Sequence, residues 1–273
     1  MSQGSVDAHN ILDFIGPGGE YWGEIDQRTM KDVIEKALKD GYLEALVKLA
    51  YTHTNLGNYF FSHRRMDWLF HCLAQNNSQP TRVLDLGSGW GTLSFLLAKY
   101  FNEVWSVEAV YERAIFQAIR REQTKENKVH IVRCWSHQLP FPNEFFDLAV
   151  ANGMLEWVPF GDVMKNPQKM QLDFLRGVYR TLKIGGCLYI GIENRIAYSY
   201  FLGSRDHTGL PYTSLLPRPF ASLIIALLGG YKARTSSLRR YVTYTYSALG
   251  YRKLLALAGF NKVDGYSTNN YNF

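Results

Sequence analysis

A glycine-rich turn between an apolar segment and a helical segment is the feature that most constrains the fold of this chain. The turn reads Asp85-Leu-Gly87-Ser-Gly89-Trp-Gly91, directly after the apolar run 82–86 and before the helical run 92–100. Glycines allow a tight turn and a close approach of the backbone to a ligand. The start of the following helix offers free amide groups to a polar or anionic group. The turn therefore predicts a nucleotide-like ligand beyond the carboxyl end of a buried strand.

From Pro80 onward the chain alternates short apolar runs with helical stretches. The apolar runs predict strands at 82–86, 103–109, 129–134, 146–154, 186–193 and 262–266, and the helical stretches are 92–100, 111–123, 172–182 and 249–258. The strands are continuously apolar, which is typical of a parallel sheet buried on both faces. This order predicts an α/β fold, a Rossmann-like, doubly wound, mostly parallel sheet with helices on both faces.

Two further segments flank or interrupt this alternating core. Residues 1–79 predict an N-terminal helical extension: 1–19 are glycine-rich and expected to be loose, and helices are expected over 29–40, over 43–51 and from residue 62. Residues 197–246 carry prolines, glycines and mostly positive charges, and they predict a lid-like insertion after the fifth strand. The predicted core is then 80–196 together with 247–273.

Charge and cysteine content narrow the function classes only modestly. A net charge of +6 and a pI of about 9.1 permit an anionic partner but require none, so nucleic acid is not favoured as a partner. Three separated cysteines, without a cysteine–histidine spacing suited to zinc, predict no metal site and a reducing, cytoplasmic setting. No apolar run approaches the roughly 20 residues that a transmembrane helix needs.

The spacing of the turn discriminates between two cofactors. A dinucleotide fingerprint needs glycine at the sixth position of its pattern, and Thr92 stands there. The GxGxG spacing after the acidic Asp85 instead resembles motif I of the class I S-adenosylmethionine-dependent methyltransferases. The resemblance implies S-adenosylmethionine as the cofactor, S-adenosylhomocysteine as the product, and cofactor contacts at Asp85, Gly87, Ser88, Gly89 and Gly91.

Three further strand ends complete the cofactor site that this resemblance implies. Glu108 ends the second strand, where a carboxylate accepts both ribose hydroxyls. After the third strand, near the adenine ring, the family's usual aspartate is absent and Trp135 and Ser136 stand in its place. Trp135 either stacks on adenine or packs in the core. Asn152 lies near the end of the fourth strand, which is expected beside the methionine part of the cofactor. The absence of an Asn/Asp-Pro-Pro-aromatic motif there argues against nucleobase N-methylation.

The resemblance extends over nearly the whole chain to one bacterial subfamily, whose members are often encoded with glycosyltransferases and natural-product genes. The segments that carry it are Tyr21-Trp-Gly-Glu24, the glycine turn, Gly191-Ile-Glu-Asn-Arg195, 201–210 and 241–251. It implies a small-molecule, peptide or glycan acceptor from a biosynthetic pathway. The methyltransferase sheet normally ends in a hairpin of a sixth and a seventh strand, whereas this sequence stops soon after the sixth. We therefore expect one domain of a longer protein, with a second catalytic domain as a candidate partner.

The residues that bind the acceptor are expected beneath the insertion. His207 is the leading candidate for a general base, and its alternative is a structural histidine that ties down the loop. Glu193 is the second candidate, and its alternative is a salt bridge to Arg195 or Arg205. An arginine fork suits an anionic acceptor. The candidate substrate-binding residues are Tyr21, Trp22, Arg195, Tyr212 and Tyr244.

The apolar run 220–228 in the insertion is interpreted as a packed helix, and its alternative is a basic-flanked surface for a lipid-linked acceptor. Together these features predict an S-adenosylmethionine-dependent methyltransferase that O-methylates a hydroxyl or a carboxylate. Two alternatives belong to other classes. One is a nicotinamide-dependent oxidoreductase, against which Thr92 argues, and the other is a non-catalytic, methyltransferase-like docking module.

Overall fold

A seven-stranded sheet forms the centre of the computed structural model, which describes residues 4–16, 23–61, 64–75, 80–136, 138–231 and 240–266. In chain order the strands are β1 (Ser5–Val6), β2 (Leu12–Asp13), β3 (Arg82–Leu86), β4 (Glu103–Glu108), β5 (Val129–Arg133), β6 (Phe146–Asn152) and β7 (Leu182–Gly191). Their order across the sheet is β1-β2-β5-β4-β3-β6-β7. Among these strands only β1 and β2 pair antiparallel. The predicted Rossmann-like, mostly parallel sheet is confirmed.

Helices cover both faces of this sheet. They are α1 (Gln27–Asp40), α2 (Tyr42–Thr52), α3 (Thr54–Phe61), α4 (Arg64–Gln75), α5 (Thr92–Leu97), α6 (Tyr111–Thr124), α7 (Pro167–Thr181), α8 (Tyr198–Phe201), α9 (Arg218–Leu228) and α10 (Ala248–Ala258), with a 3₁₀ helix at Leu155–Gly161. Neighbouring residues of β3 point to opposite faces: Leu84 packs in the cluster that includes Phe174 of α7, and Val83 packs in the cluster that includes Leu97 of α5. Burial on both faces explains why the strands are continuously apolar.

Helices α1 to α3 pack as a separate layer against α6 and the glycine turn. Their buried side chains, among them Met30 and Phe60, share one cluster with Phe116 of α6 and with Trp90 of the turn. The Trp90 ring is fully buried and makes edge contacts with Phe60, at 5.1 Å between ring centres, and with Phe116, at 5.3 Å. The N-terminal helices therefore fix the position of the turn.

Two sequence predictions about elements were wrong, and one helix was missed. Part of the stretch expected to be loose forms β1 and β2, which extend the sheet at the β5 edge because Leu12 and Asp13 pair with Val132 and Arg133. Residues 262–266 form no strand, since the described residues after α10, 259–266, have no ladder pairing. The helix expected from residue 62 is confirmed as α4, whereas α3, which begins at Thr54, was not predicted.

Candidate cofactor and acceptor site

The glycine turn joins β3 to α5 at the sheet position where β4 lies on one side of β3 and β6 on the other. Gly87 and Gly89 have positive φ angles, +66° and +57°. A Cβ at Gly87 would collide with the Met154 side chain, and a Cβ at Gly89 would lie 2.7 Å from Tyr59 Oη. Both conformation and space therefore require glycine here.

A buried polar network beneath the turn contains Asp85. Ser94 Oγ donates to Asp85 Oδ2 over 2.5 Å, and Gln117 Nε2 donates to the Gly89 carbonyl over 2.8 Å and to Ser88 Oγ over 2.9 Å. Burial raises the pKa of Asp85 to about 7, against the lowering effect of the Ser94 hydroxyl. The Asp85 carboxyl group thus lies beneath the turn and does not line the cavity next to it, where the sequence had predicted a cofactor contact.

A cavity of about 510 Å³ opens at the carboxyl ends of the central strands. Seven of the predicted site residues line it: Gly87, Glu108, Trp135, Ser136, Asn152, Glu193 and His207. The cavity therefore brings residues predicted for the cofactor together with both candidates for the general base. Glu24, the last residue of the predicted Tyr21–Glu24 segment, also lines the cavity and forms an ion pair with Arg113. Tyr21 and Trp22 themselves lie outside the described residues.

Glu108 and Asn152 provide the polar groups on the cofactor side of the cavity. The Glu108 side chain is buried, and its two oxygens accept the N–H groups of Gly89 and Val110, each over 2.8 Å. Each carboxylate oxygen can accept a further hydrogen bond from a ligand hydroxyl. Neither amide atom of Asn152 has a hydrogen-bond partner within the described residues, although both atoms are buried. A buried amide of this kind is available to pair with a polar group of a ligand.

These features fit S-adenosylmethionine. The glycine turn leaves room for a ligand beside the backbone, Glu108 can accept from ribose hydroxyls, and Asn152 can pair with a polar group of the methionine part. Trp135 forms part of the cavity wall after β5, and its contact with adenine stays a prediction.

On the acceptor side of the cavity, the His207 imidazole lies between two carboxylates. His207 Nε2 is 3.0 Å from Glu193 Oε2 and 3.6 Å from Glu156 Oε1. The ring also packs edge-on against Trp157, with 4.8 Å between ring centres. Glu156 is almost fully buried, whereas His207 and Glu193 remain about a fifth exposed. The imidazole thus reaches the cavity while both neighbours are acidic.

Burial alone raises the pKa of Glu193, but the neighbouring His207 imidazole and the Tyr200 hydroxyl outweigh it, so that the pKa lies below its ordinary value. Tyr200 Oη donates to Glu193 Oε2 over 2.8 Å. Burial, together with this carboxylate, raises the pKa of Tyr200. Glu193 is therefore a carboxylate and Tyr200 a neutral phenol at neutral pH.

Three residues predicted to bind the acceptor lie away from the cavity. Arg195 donates to the carbonyls of Ser214 and Leu216, so its guanidinium holds the backbone of segment 197–246 together. Tyr244 lies under the Arg218 guanidinium, 3.5 Å from the ring centre. Tyr212 is half exposed and does not line the cavity. Of the residues predicted at the turn, Gly87 lines the cavity, whereas Ser88, Gly89 and Gly91 do not.

Sequence reasoning missed Glu156 and Tyr200. Glu156 lies in the 3₁₀ helix directly after β6, and its position close to a strand end was the available signal. Tyr200 is in the short helix α8, and no sequence pattern connects it with Glu193.

Comparison with known proteins shows that part of this chain is similar to methyltransferases. The family profile described as "Methyltransferase domain" matches residues 84–190. The malonyl-[acyl-carrier protein] O-methyltransferase of Legionella pneumophila is 28% identical over 120 residues, which cover 44% of this chain and 39% of that protein. The ubiquinone/menaquinone biosynthesis C-methyltransferase UbiE of Vibrio campbellii is 28% identical over 113 residues, 40% of either chain. This chain therefore matches about 40% of the length of these relatives.

A solved structure, the PH0226 protein of Pyrococcus horikoshii, has the same fold. Its TM-score is 0.54 at 19% sequence identity, and the match covers 81% of this chain and 95% of that one. The solved structure confirms the predicted Rossmann-like fold, and the match to the methyltransferase domain over residues 84–190 agrees with S-adenosylmethionine as the cofactor. Neither comparison gives support to the nicotinamide-dependent oxidoreductase.

Within the parts of the chain that the structure describes, no three His, Cys, Asp or Glu side chains are arranged to hold a metal ion. None of the described helices combines the length and the apolar character needed to cross a bilayer.

Proposed function

We propose that this chain is an S-adenosylmethionine-dependent O-methyltransferase that acts on a hydroxyl group of a small-molecule, peptide or glycan acceptor, with His207 as the proton acceptor. The observation that carries the proposal is the His207 imidazole between Glu193 and Glu156, in the same cavity as Glu108 and Asn152. When bound, S-adenosylmethionine supplies an electrophilic methyl group on its sulfonium. The residues of the chain then have to hold the acceptor and take up its proton.

The two carboxylates explain how His207 can act as a base. Glu193 carries a negative charge at neutral pH because its pKa is lowered, and its Oε2 lies 3.0 Å from the imidazole. An adjacent carboxylate stabilises the imidazolium that forms when the ring takes a proton. The Tyr200 hydroxyl donates to Glu193 Oε2, the same oxygen that lies next to the imidazole. Glu193 and Tyr200 are therefore positioning residues for His207.

The same carboxylates favour a hydroxyl acceptor over a carboxylate acceptor. A carboxylate placed next to the imidazole would lie close to Glu156 and Glu193, and like charges repel each other strongly where they are partly desolvated. Arg195, which the sequence suggested for an anionic acceptor, is already engaged by backbone carbonyls. Both carboxylate and hydroxyl acceptors were predicted from the sequence, and this geometry supports the hydroxyl.

A titration with S-adenosylmethionine tests the cofactor half of the proposal. We expect Glu108→Gln to weaken binding by roughly tenfold or more, because an amide offers the ribose only one acceptor atom in place of two. Glu103→Gln is the matched control, since Glu103 is at the opposite end of the same strand and pairs with Arg82. If wild-type protein has no affinity for S-adenosylmethionine, or if both variants weaken it equally, this half is wrong.

A panel of paired acceptors tests the other half. Each hydroxyl compound is assayed beside the analogue in which a carboxylate replaces the hydroxyl, and S-adenosylhomocysteine formation is measured. We expect turnover with members of the hydroxyl series only. Turnover confined to the carboxylate series would refute the proposed acceptor class, while the cofactor titration would stand unaffected.

A further inference from the structure

The loop that contains His207 is closed on itself around the side chain of Asp206. Asp206 Oδ1 accepts the N–H and the hydroxyl of Thr208, over 2.8 Å and 2.6 Å, and Oδ2 accepts the hydroxyl of Ser214 over 2.6 Å. The N–H of Gly209 donates to the Asp206 carbonyl over 2.9 Å. Hydrogen bonds to a carboxylate are shorter and stronger than bonds between neutral groups. The backbone is therefore fixed on both sides of His207.

The residues that donate to the Asp206 side chain are buried, so that little water competes for these bonds. Thr208 and Ser214 are each 2% exposed. Thr208 Oγ1 also lies 2.9 Å from Thr213 Oγ1, and Thr213 is 1% exposed. The N–H of Tyr231 donates to the Thr208 carbonyl over 2.9 Å. The side chain and the main chain of Thr208 are thus both bound to other segments of the chain.

The same network reaches the segment of the chain that contains Glu193. Arg195 follows Glu193 by two residues, and its Nε donates to the Ser214 carbonyl over 2.5 Å. The main chain and the side chain of Ser214 therefore bind Arg195 and Asp206 at the same time. Glu193 Oε2 in turn lies 3.0 Å from His207 Nε2. The network thus fixes both partners of the contact between His207 and Glu193.

We propose that Asp206 is a positioning residue that holds the His207 imidazole against Glu193. It acts by fixing the loop through Thr208 and Ser214. The inference rests on the proposed function, because it concerns the base of that reaction. Asp206 lines the cavity, but its oxygens already accept three hydrogen bonds, and a carboxylate can accept about four. The side chain is therefore suited to holding the loop and not to taking up the proton of the acceptor. Displacement of a catalytic group by about 1 Å can lower a rate about a hundredfold, so a fixed loop matters for turnover.

A double-mutant cycle with the proposed base tests this inference on turnover. Asparagine has one acceptor oxygen in place of two, so Asp206→Asn cannot accept from both Thr208 and Ser214. We expect it to lower kcat by about tenfold to a hundredfold, with the acceptor KM and the S-adenosylmethionine affinity changed by less than about threefold. In the His207→Gln background the same substitution should change kcat by less than about twofold, because the group that it positions is absent. Equal losses in the two backgrounds would mean that Asp206 supports only the fold, and they would overturn the proposal.

Nuclear magnetic resonance of the ligand-free protein tests the same contact without turnover. The imidazole signal of His207 is assigned by its absence from His207→Gln. Asp206→Asn should shift this signal in the same direction as Glu193→Gln, since both substitutions take the carboxylate away from the imidazole. A His207 signal that is unchanged in Asp206→Asn overturns the proposal, whatever the turnover assay gives.

Asp7→Asn is the matched control for both experiments. Asp7 Oδ1 also closes a loop, because it accepts the N–H groups of His9 and Ile11 over 2.9 Å each, but Asp7 does not line the cavity. This variant should change neither kcat nor the His207 signal.

Ser214→Ala is a milder variant that removes one of the three hydrogen bonds to Asp206. We expect it to lower kcat by about threefold to tenfold, and it decides the question if Asp206→Asn does not fold. If no hydroxyl acceptor is turned over while the His207 signal responds as expected, the proposed function is wrong and the positioning of His207 stands. If hydroxyl acceptors are turned over equally by wild type and by Asp206→Asn, the proposed function stands and this inference is wrong.

Discussion

The imidazole of His207 has one carboxylate at ion-pair distance and a second only slightly farther away, and this arrangement defines a prediction about a single residue. We expect His207→Gln to lower kcat by about 10²- to 10⁴-fold, the usual contribution of a general base, with S-adenosylmethionine affinity unchanged. His130→Gln is the control, because His130 is on β5 next to Glu103, at the other end of the strands. Single-turnover assays would show the loss; equal rates in the two variants would assign His207 a structural role.

The buried Asp85 carboxyl group should make the protein less stable as pH rises, the reverse of the effect of a carboxylate with a lowered pKa. Its pKa is about 7 in the folded protein because of burial, against an ordinary value of 3.8. Between these two values the folded state keeps a proton that the unfolded state has released, so stability decreases as pH rises through this window. The full effect is at most about 4 kcal/mol, since each pKa unit corresponds to about 1.4 kcal/mol. Below the window no penalty remains.

Urea unfolding of ligand-free Asp85→Asn at pH 5 and pH 8 measures this effect. We expect the difference in unfolding free energy, variant minus wild type, to be larger at pH 8 than at pH 5, because asparagine needs no proton to be buried.

Asp147→Asn is the opposite control. Burial raises the pKa of Asp147, but hydrogen bonds from Lys183 and from the backbone of Arg82 and Thr81 lower it to about 2. That carboxylate stabilises the fold above pH 4, so its variant should lose stability at both pH values. A pH-independent difference for Asp85→Asn would contradict the argument.

Among the secondary-structure elements, the N-terminal hairpin depends on one buried ion pair. Arg133 Nη1 of β5 lies 2.9 Å from Asp13 Oδ2 of β2, and both side chains are at most 10% exposed. We expect Asp13→Asn to cost about 3 kcal/mol of unfolding free energy, because it leaves a buried guanidinium without a counter-charge. Backbone amides of the strand pair, such as that of Phe14, should also exchange faster with solvent.

An exposed pair of similar length provides the comparison. Lys169 Nζ lies 3.0 Å from Asp173 Oδ2 in α7, but these side chains are 75% and 44% exposed. Asp173→Asn should therefore cost less than about 1 kcal/mol, since water screens the pair. If both substitutions cost the same small amount, burial of the Asp13 pair does not matter and the hairpin is held by its backbone hydrogen bonds alone.

The elements that the sequence predicted well are those long enough to show a continuous apolar run or a helical spacing of apolar residues. Strands β3 to β7 and helix α1 follow from apolar runs and helical spacing, and the strand ends then placed Glu108, Asn152 and Glu193 at one edge of the sheet. β1 and β2 were missed because two-residue strands carry no periodicity and exist only through their pairing partners. A strand at 262–266 was predicted from local composition, which cannot show whether a neighbouring strand edge accepts it.

Across the whole molecule, two different kinds of structure meet in one cavity. The cofactor side is formed by the carboxyl ends of the parallel strands. A residue at the end of a predicted strand is therefore expected to line the cavity. The acceptor side depends on segment 197–246, whose sequence does not continue the alternation of apolar runs and helical stretches. For this reason His207 could be named from its residue type, while Arg195 and Tyr244 were assigned to a cavity that they do not line. Prediction of substrate contacts is therefore least accurate where the chain is least regular.

Ligand binding at this cavity should stabilise the whole fold. At a concentration of S-adenosylmethionine about 100 times its Kd, mass action adds about 2.7 kcal/mol, which raises Tm by roughly 5–10 °C for a chain of this size. Gly89→Arg should abolish the shift, because any Cβ there meets Tyr59 and the backbone φ is +57°. Gly41→Arg is the control: its φ is also positive and its Cβ would have open space, so it should lower Tm but keep the shift. NAD should produce no shift in any of these proteins, and a shift with NAD that matches or exceeds the one with S-adenosylmethionine would support the oxidoreductase instead.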